Sequence, residues 1–253
     1  MLIGFTSTTF LNIKSLEEIV KIAVGCGADC IEWGGNLHVT NLEEAKKAKE
    51  LCSAANIKIS SYGSYYRVGS ADAEEWKRIC LIASEMGAEA IRVWLGKADS
   101  EKTDTADYQA LVSDAKAMCA VAAEYGISVS CECHGNTYNN NTDAFLKIRE
   151  DIGKDNFRTY FQSRYCRKEY DLDRIERTLP FTDLVHISYS EQRREQFPKR
   201  DFSYIDALLE KLVSVGFCGD MLVEFTYPFM KKGIPLFLKR DIVRLKSKIE
   251  KLN

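Results

Sequence analysis

The sequence predicts an α/β protein, a single (β/α)8 TIM barrel spanning residues 1–253, on three observations. Short apolar strands alternate strictly with helical patterns, which argues for a parallel sheet with helices outside it. Each helical pattern tends to stop at a Gly or Asn a few residues before the next strand. Eight such units in 253 residues is the arithmetic of a closed barrel. A doubly wound open sheet is the alternative, but it usually has fewer strands and a glycine-rich first loop. Here that loop reads TSTTFLN, with neither GxGxxG nor GxxxxGK[ST], so dinucleotide and P-loop chemistry have no support.

The elements follow in order. A strand near 2–6 precedes a helix over 15–26, which Ser15 opens with Glu18 three residues on, and which Gly27 stops. The second strand, near 29–33, leads to a helix over 41–55 opened by Asn41 and Glu44 and stopped by Asn56. The third, near 57–62, leads to a helix over 72–86 opened by Asp72 and Glu75 and stopped by Gly87. Strands near 89–95, 127–133, 157–162, 183–189 and 220–226 follow. Their helices lie near 104–125, 142–151, 171–178, 203–215 and 234–251, with Gly126 and Gly216 as further stops. These stop residues tolerate a left-handed backbone that a bulky side chain resists.

Composition narrows the function classes. Hydrophobic residues make up 45% and charged residues 28%, and 35 Lys plus Arg against 37 Asp plus Glu leave a net charge of −2. That balance offers no electrostatic footprint for nucleic acid or an anionic membrane. Neither a signal peptide nor a membrane span is expected. Nine cysteines without a repeated CxxC read as reduced, mostly buried thiols of a cytoplasmic protein. Disordered, collagenous, disulfide-scaffold and membrane classes are excluded.

Side chains alternate along a strand between the helix-facing side and the barrel interior. In the fifth strand Ile127, Val129, Cys131 and Cys133 suit the helices, so Ser128, Ser130, Glu132 and His134 turn inward. In the eighth, Met221, Val223 and Phe225 oppose inward Leu222, Glu224 and Thr226. The seventh turns Leu184, His186 and Ser188 inward, and the sixth turns Arg158, Tyr160 and Gln162 against Thr159, Phe161 and Ser163. The fourth turns in Arg92 and Trp94, and the second Cys30 and Glu32. Glu132 and Glu224 then enter one barrel mouth, where like charges repel and burial is expensive. Two resolutions fit. A divalent cation can lie between them, with His186 and Gln162 completing an N/O ligand set, or inward Arg92 and Arg158 can neutralise them.

The segments CIEWGGNLHV, SYGSYYRVG, IRVWLG, CECHGNTYNNN, YFQSRY, HISYSE and LVEF, in that order, resemble the xylose-isomerase-like barrel superfamily, the sugar phosphate isomerase/epimerase group. The resemblance runs from about residue 3 to 245. It implies one divalent metal held by a Glu of the fifth strand, an acid or amide of the sixth, a His of the seventh and a Glu of the eighth. In this sequence those are Glu132, Gln162, His186 and Glu224, the set that alternation turns inward. Gln162 departs from the Asp common in the family, and a neutral amide should leave the ion more Lewis-acidic. The ion expected is Mn, Mg, Co or Zn, with Mn favoured. The implied reaction is proton transfer through a metal-stabilised enediolate of a sugar or sugar phosphate, with Glu132 and Glu224 as acid/base groups. The alternatives are a metal-dependent lyase or dehydratase on a keto-polyol, and a non-catalytic carbohydrate-binding barrel. Relatives often form dimers or tetramers, so a homo-oligomer is expected. Three histidines are too few for a three-metal nuclease centre.

Other residues are candidates for substrate contact. His134 lies one inward step beyond Glu132, and His38 follows the second strand. Arg92 can hydrogen-bond substrate oxygens. Trp94 and Tyr65 can stack on a sugar ring, while Trp33, Tyr62 and Tyr66 sit at predicted strand ends as well. In the loop 191–200, Arg193, with Arg194, Lys199 and Arg200, can hold an anionic substrate, or form a solvated charge run. Cys131-x-Cys133 faces the helices and reads as core rather than as a zinc motif. Asn139 to Asn141 reads as a turn or lid.

Overall fold

Eight strand–helix units are present where the alternation predicts them. The computed structural model describes residues 1–162, 168–188, 202–224 and 234–252. The strands are β1 (Ile3–Thr6), β2 (Cys30–Gly34), β3 (Lys58–Val68), β4 (Ala90–Leu95), β5 (Ser128–Glu132), β6 (Phe157–Gln162), β7 (Thr182–Ile187) and β8 (Asp220–Val223). They pair in parallel and in chain order, and β8 returns to β1 to close a (β/α)8 barrel. The helices are α1 (Leu16–Cys26), α2 (Leu42–Ala54), α3 (Ala73–Met86), α4 (Thr105–Glu124), α5 (Thr142–Ile152), α6 (Lys168–Thr178), α7 (Phe202–Ser214) and α8 (Ile234–Leu252). No helix among the described residues is long and apolar enough to cross a membrane.

Local chemistry explains the helix ends. Ser15, Asn41 and Asp72 accept the backbone N–H of Glu18, Glu44 and Glu75 at 3.2, 3.0 and 3.0 Å, satisfying donors that the first helical turn leaves free. Asp104 and Asn141 cap α4 and α5 in the same way. The five predicted stops, Gly27, Asn56, Gly87, Gly126 and Gly216, all have positive φ.

Two elements are longer than expected. β3 continues past Gly63, because Arg67 and Val68 resume pairing with Trp94 and Leu95 after an irregularity. α6 begins with a polar turn, Lys168–Tyr170, that carries no apolar periodicity. β3 also bulges: Ile31 pairs with Ile59, but Glu32 pairs with Ser61. The extra residue reverses the alternation of β3 and turns Ser61 to the inside.

The core has two layers. Outward-facing Phe5, Ile31, Trp33, Ile91, Val129, Phe161, Val185 and Met221 join the helices in one apolar shell. Inside, Cys30, Ala90, Tyr160, Leu184 and Leu222 form a separate plug. Gly4 lies beside Cys30 and Leu222 in the strand register, and a Cβ there would stand 1.9 Å from the Cys30 carbonyl oxygen. Gly4→Ala is therefore expected to force the strands apart and cost roughly 3 kcal/mol or more. Gly25, exposed within α1 with nothing near its Cβ position, should instead gain about 0.5–1 kcal/mol as Ala. Urea melts of the two variants beside the parent check this; equal stability for Gly4→Ala would contradict the close packing.

Candidate functional site

The C-terminal ends of the strands carry the polar residues. Glu132 ends β5, Gln162 ends β6 beside His186 of β7, and Glu224 follows β8. The Glu224 N–H donates to the Ile187 carbonyl at 2.8 Å, which sets that residue one step beyond His186 along the barrel. Alternation thus brings the predicted inward residues to one level above the apolar plug, the end where barrels of this type bind ligands.

One ligand atom each from Glu132, His186 and Glu224 lie within 4.8 Å of one another, and all three residues are buried. His186 Nδ1 is 3.9 Å from Glu132 Oε1 and 3.9 Å from Glu224 Oε2. That is too long for a hydrogen bond, and Nδ1 has no hydrogen-bond partner among the described residues. Atoms that share one ion at bond lengths of about 2.0–2.2 Å stand roughly 3–4 Å apart. The orphaned nitrogen between two carboxylates therefore fits a divalent metal.

Each carboxylate is held by neighbouring donors, and for Glu132 they lie on the oxygen away from His186. Trp94 Nε1 donates to Glu132 Oε2 at 2.6 Å, Arg92 Nη1 stands 3.5 Å from the same oxygen, and Asn139 Nδ2 donates to the Glu132 carbonyl at 3.0 Å. Gln162 Nε2 donates to Glu224 Oε2 at 2.9 Å. A third carboxylate, Glu32, lies just behind: Ser61 Oγ donates to its Oε2 at 2.8 Å, His186 Nε2 is 3.4 Å from that oxygen, and Arg92 Nη1 is 3.9 Å from Oε1. Among the described residues, three carboxylates against one guanidinium leave two negative charges if the imidazole is neutral, a remainder that a divalent ion would cancel.

The ionisation of these groups reflects their crowding. Burial alone would push the Glu32 carboxyl up, but His186 and Arg92 opposite it hold it down to about 2. Burial likewise works against a charged His186, yet Glu32 above all, with Glu224 and Glu132, raises it to about 9. Burial and the neighbouring Glu132 carboxylate push Glu224 above the usual carboxylate range. Arg92 is also raised, because the three carboxylates outweigh its desolvation.

The remaining predicted residues divide. Trp94 meets Tyr65 edge-on at 5.2 Å and His134 at 5.7 Å, and Arg92 lies 5.3 Å from the Tyr65 ring. Tyr65 and His134 are exposed, so these side chains form an aromatic wall beside Glu132. His38 is placed differently: it is 2% exposed, and its ring nitrogens lie 3.0 Å from Ser7 Oγ and 2.7 Å from the Ile13 carbonyl. Its imidazole is committed to protein partners on both nitrogens. Trp33, Tyr62 and Tyr66 are buried on the helix-facing side. Arg158 does not reach the mouth; it pairs with Asp183 because it enters near the opposite end of β6. Among the described residues, arginine neutralisation therefore falls to Arg92.

Cys131 and Cys133 are buried, and burial pushes the Cys131 thiol up, in keeping with core packing. Asn141 caps α5. Arg193, Arg194, Lys199, Arg200, Ser163, Phe225 and Thr226 lie outside the described residues. Sequence reasoning gave Glu32 and Ser61 no role; the inward position of Glu32 was the available signal, whereas the bulge that presents Ser61 was not legible.

Known proteins place this geometry in context. A family model described as xylose isomerase-like TIM barrel matches residues 20–234. No curated protein matches the chain by sequence. Among solved structures, the probable 3-DHS dehydratase AsbF from Bacillus anthracis superposes with a TM-score of 0.79 at 16% identity, covering 97% of this chain and 99% of that one. The 3-keto-D-glucoside 4-epimerase YcjR from E. coli gives 0.76 at 17% identity, covering 98% and 99%. The IOLI protein, solved with a bound zinc atom, gives 0.78 at 15% identity, covering 100% and 99%. With the family match extending across most of the barrel, the chain belongs to the xylose isomerase-like TIM barrel family.

Proposed function

We propose that the protein is a divalent-metal-dependent isomerase or epimerase acting on a sugar or sugar phosphate. The observation that carries this reading is the buried, unpartnered His186 Nδ1 facing Glu132 and Glu224 at equal distance. Glu132, His186 and Glu224 hold the ion, and Gln162, hydrogen-bonded to Glu224, supplies the fourth ligand. Manganese suits a set of carboxylate and amide oxygens with one imidazole. When bound, a divalent ion supplies Lewis acidity toward the carbonyl and hydroxyl oxygens of the substrate.

The chain's own groups do the rest. One of Glu132 and Glu224 takes the proton from the carbon next to the carbonyl, giving an enediolate, and a proton is returned to the neighbouring carbon or to the other face of the same one. Trp94 holds Glu132 so that Oε1 points into the site. The wall of Tyr65, Trp94 and His134 receives the sugar, and Arg92 bonds its oxygens. Arg193 is proposed to contact an anionic group. A dehydratase reading shares the first proton abstraction, and a dehydratase is among the proteins with this fold; loss of water from the product distinguishes it.

Metal content by mass spectrometry tests the centre. About one divalent ion per chain is expected, and Glu132→Gln with Glu224→Gln should abolish it; no ion after incubation with manganese, magnesium, cobalt and zinc would remove the metal from the mechanism. Keto-sugars incubated with the metal-loaded protein in deuterium oxide should acquire deuterium next to the carbonyl, whereas binding without exchange would identify a carbohydrate-binding barrel. Trp94→Phe keeps the ring but loses the N–H on Glu132. Since a hydrogen bond to a charged group is worth about 1.5–3 kcal/mol, the exchange rate should fall roughly ten- to a hundredfold with the fold intact by circular dichroism.

A further inference from the structure

Glu32 lies outside the three-residue ligand cluster, yet its carboxylate is built in from several sides. Ser61 Oγ, presented by the bulge in β3, donates to Oε2 at 2.8 Å. Arg92 Nη1 stands 3.9 Å from Oε1. A Cβ on Gly63 would come within 3.2 Å of Oε1, so the absence of a side chain there leaves room for the carboxylate. His186 Nε2, which like Nδ1 makes no hydrogen bond among the described residues, stands 3.4 Å from Oε2 of Glu32, closer than Nδ1 stands to either Glu132 or Glu224. Tyr160, fully buried in the plug, meets the imidazole edge-on at 5.1 Å with planes 77° apart, which limits rotation of the ring.

The consequence is chemical. A carboxylate oxygen presents only lone pairs, so the ring nitrogen that faces it must carry the hydrogen. Which nitrogen of a histidine is left for a metal is set by what the other nitrogen meets. We infer that Glu32 is a positioning residue that fixes the Nε2–H form of His186, leaving the Nδ1 lone pair for a divalent cation between Glu132 and Glu224. The inference rests on the metal-centre reading and assigns Glu32 no contact with substrate.

Glu32→Gln and Glu32→Ala test it, with zinc alone as the probe because it is diamagnetic. Zinc affinity is read by competition with a chromophoric chelator. The ring is read from 15N spectra of histidine-labelled, zinc-loaded protein, with His186 assigned through His186→Asn. The parent should show a protonated Nε2 and a ligated Nδ1. Glu32→Gln, whose amide oxygen still accepts but without charge, should weaken zinc by roughly tenfold, and Glu32→Ala by up to about a hundredfold with loss of the ordered Nε2–H signal. Unchanged affinity and an unchanged His186 spectrum in both variants would overturn the role of Glu32 and leave the metal centre standing. Failure of the parent itself to bind zinc would overturn the centre, and this inference with it. If Glu32→Ala does not fold, the near-isosteric Glu32→Gln decides.

Discussion

The structure turns on a charge constraint at the barrel axis: three carboxylates and a guanidinium are withdrawn from water around one histidine. A buried ion without a partner costs several kcal/mol, so each charge must be met by a neighbour. Arg92 sits between Glu32 and Glu132, and Trp94, Ser61 and Gln162 add neutral donors to Glu132, Glu32 and Glu224. Both ring nitrogens of His186 and Arg92 Nε make no hydrogen bond among the described residues, and Nδ1 is the one that lies between Glu132 and Glu224.

The two ends of the barrel handle charge differently. Near the N-terminal end, Lys58 pairs with Glu89 at 2.8 Å and Asp220 at 3.1 Å, while Arg158 and Ser130 meet Asp183. Each of those carboxylates has a cation beside it. The plug of Cys30, Ala90, Tyr160, Leu184 and Leu222 separates them from the mouth, where carboxylates outnumber cations among the described buried groups. Stability and chemistry are thus housed at opposite ends of the strands, as is general for this architecture.

How much of this was legible in the sequence varied with the physics of each position. Strand alternation turned Glu132, Gln162, His186 and Glu224 inward because side-chain direction is a local property of an extended chain. Glu32 obeyed the same rule but carried no signal of its partner, since His186 is distant in sequence and meets it only across the closed barrel. Ser61 was hidden for another reason: a bulge reverses the alternation, and nothing in KISSY marks which residue is the extra one. His38 and Arg158 went the other way. Their types suggested substrate contact or charge balance, but one is tied to Ser7 and Ile13 and the other to Asp183.

By itself the sequence determined the eight-fold alternation, the helix caps and stops, and, outside the bulge in β3, the face that strand residues present. These depend on interactions within a few residues of the chain. The tertiary structure decided which inward residues meet, at what distance, and which polar atoms remain without partners. Those depend on strand register and closure of β8 onto β1, and a shift of one residue in any register would pair different side chains. The vacant Nδ1 of His186, on which the functional reading rests, is a property of that closure and of no single segment.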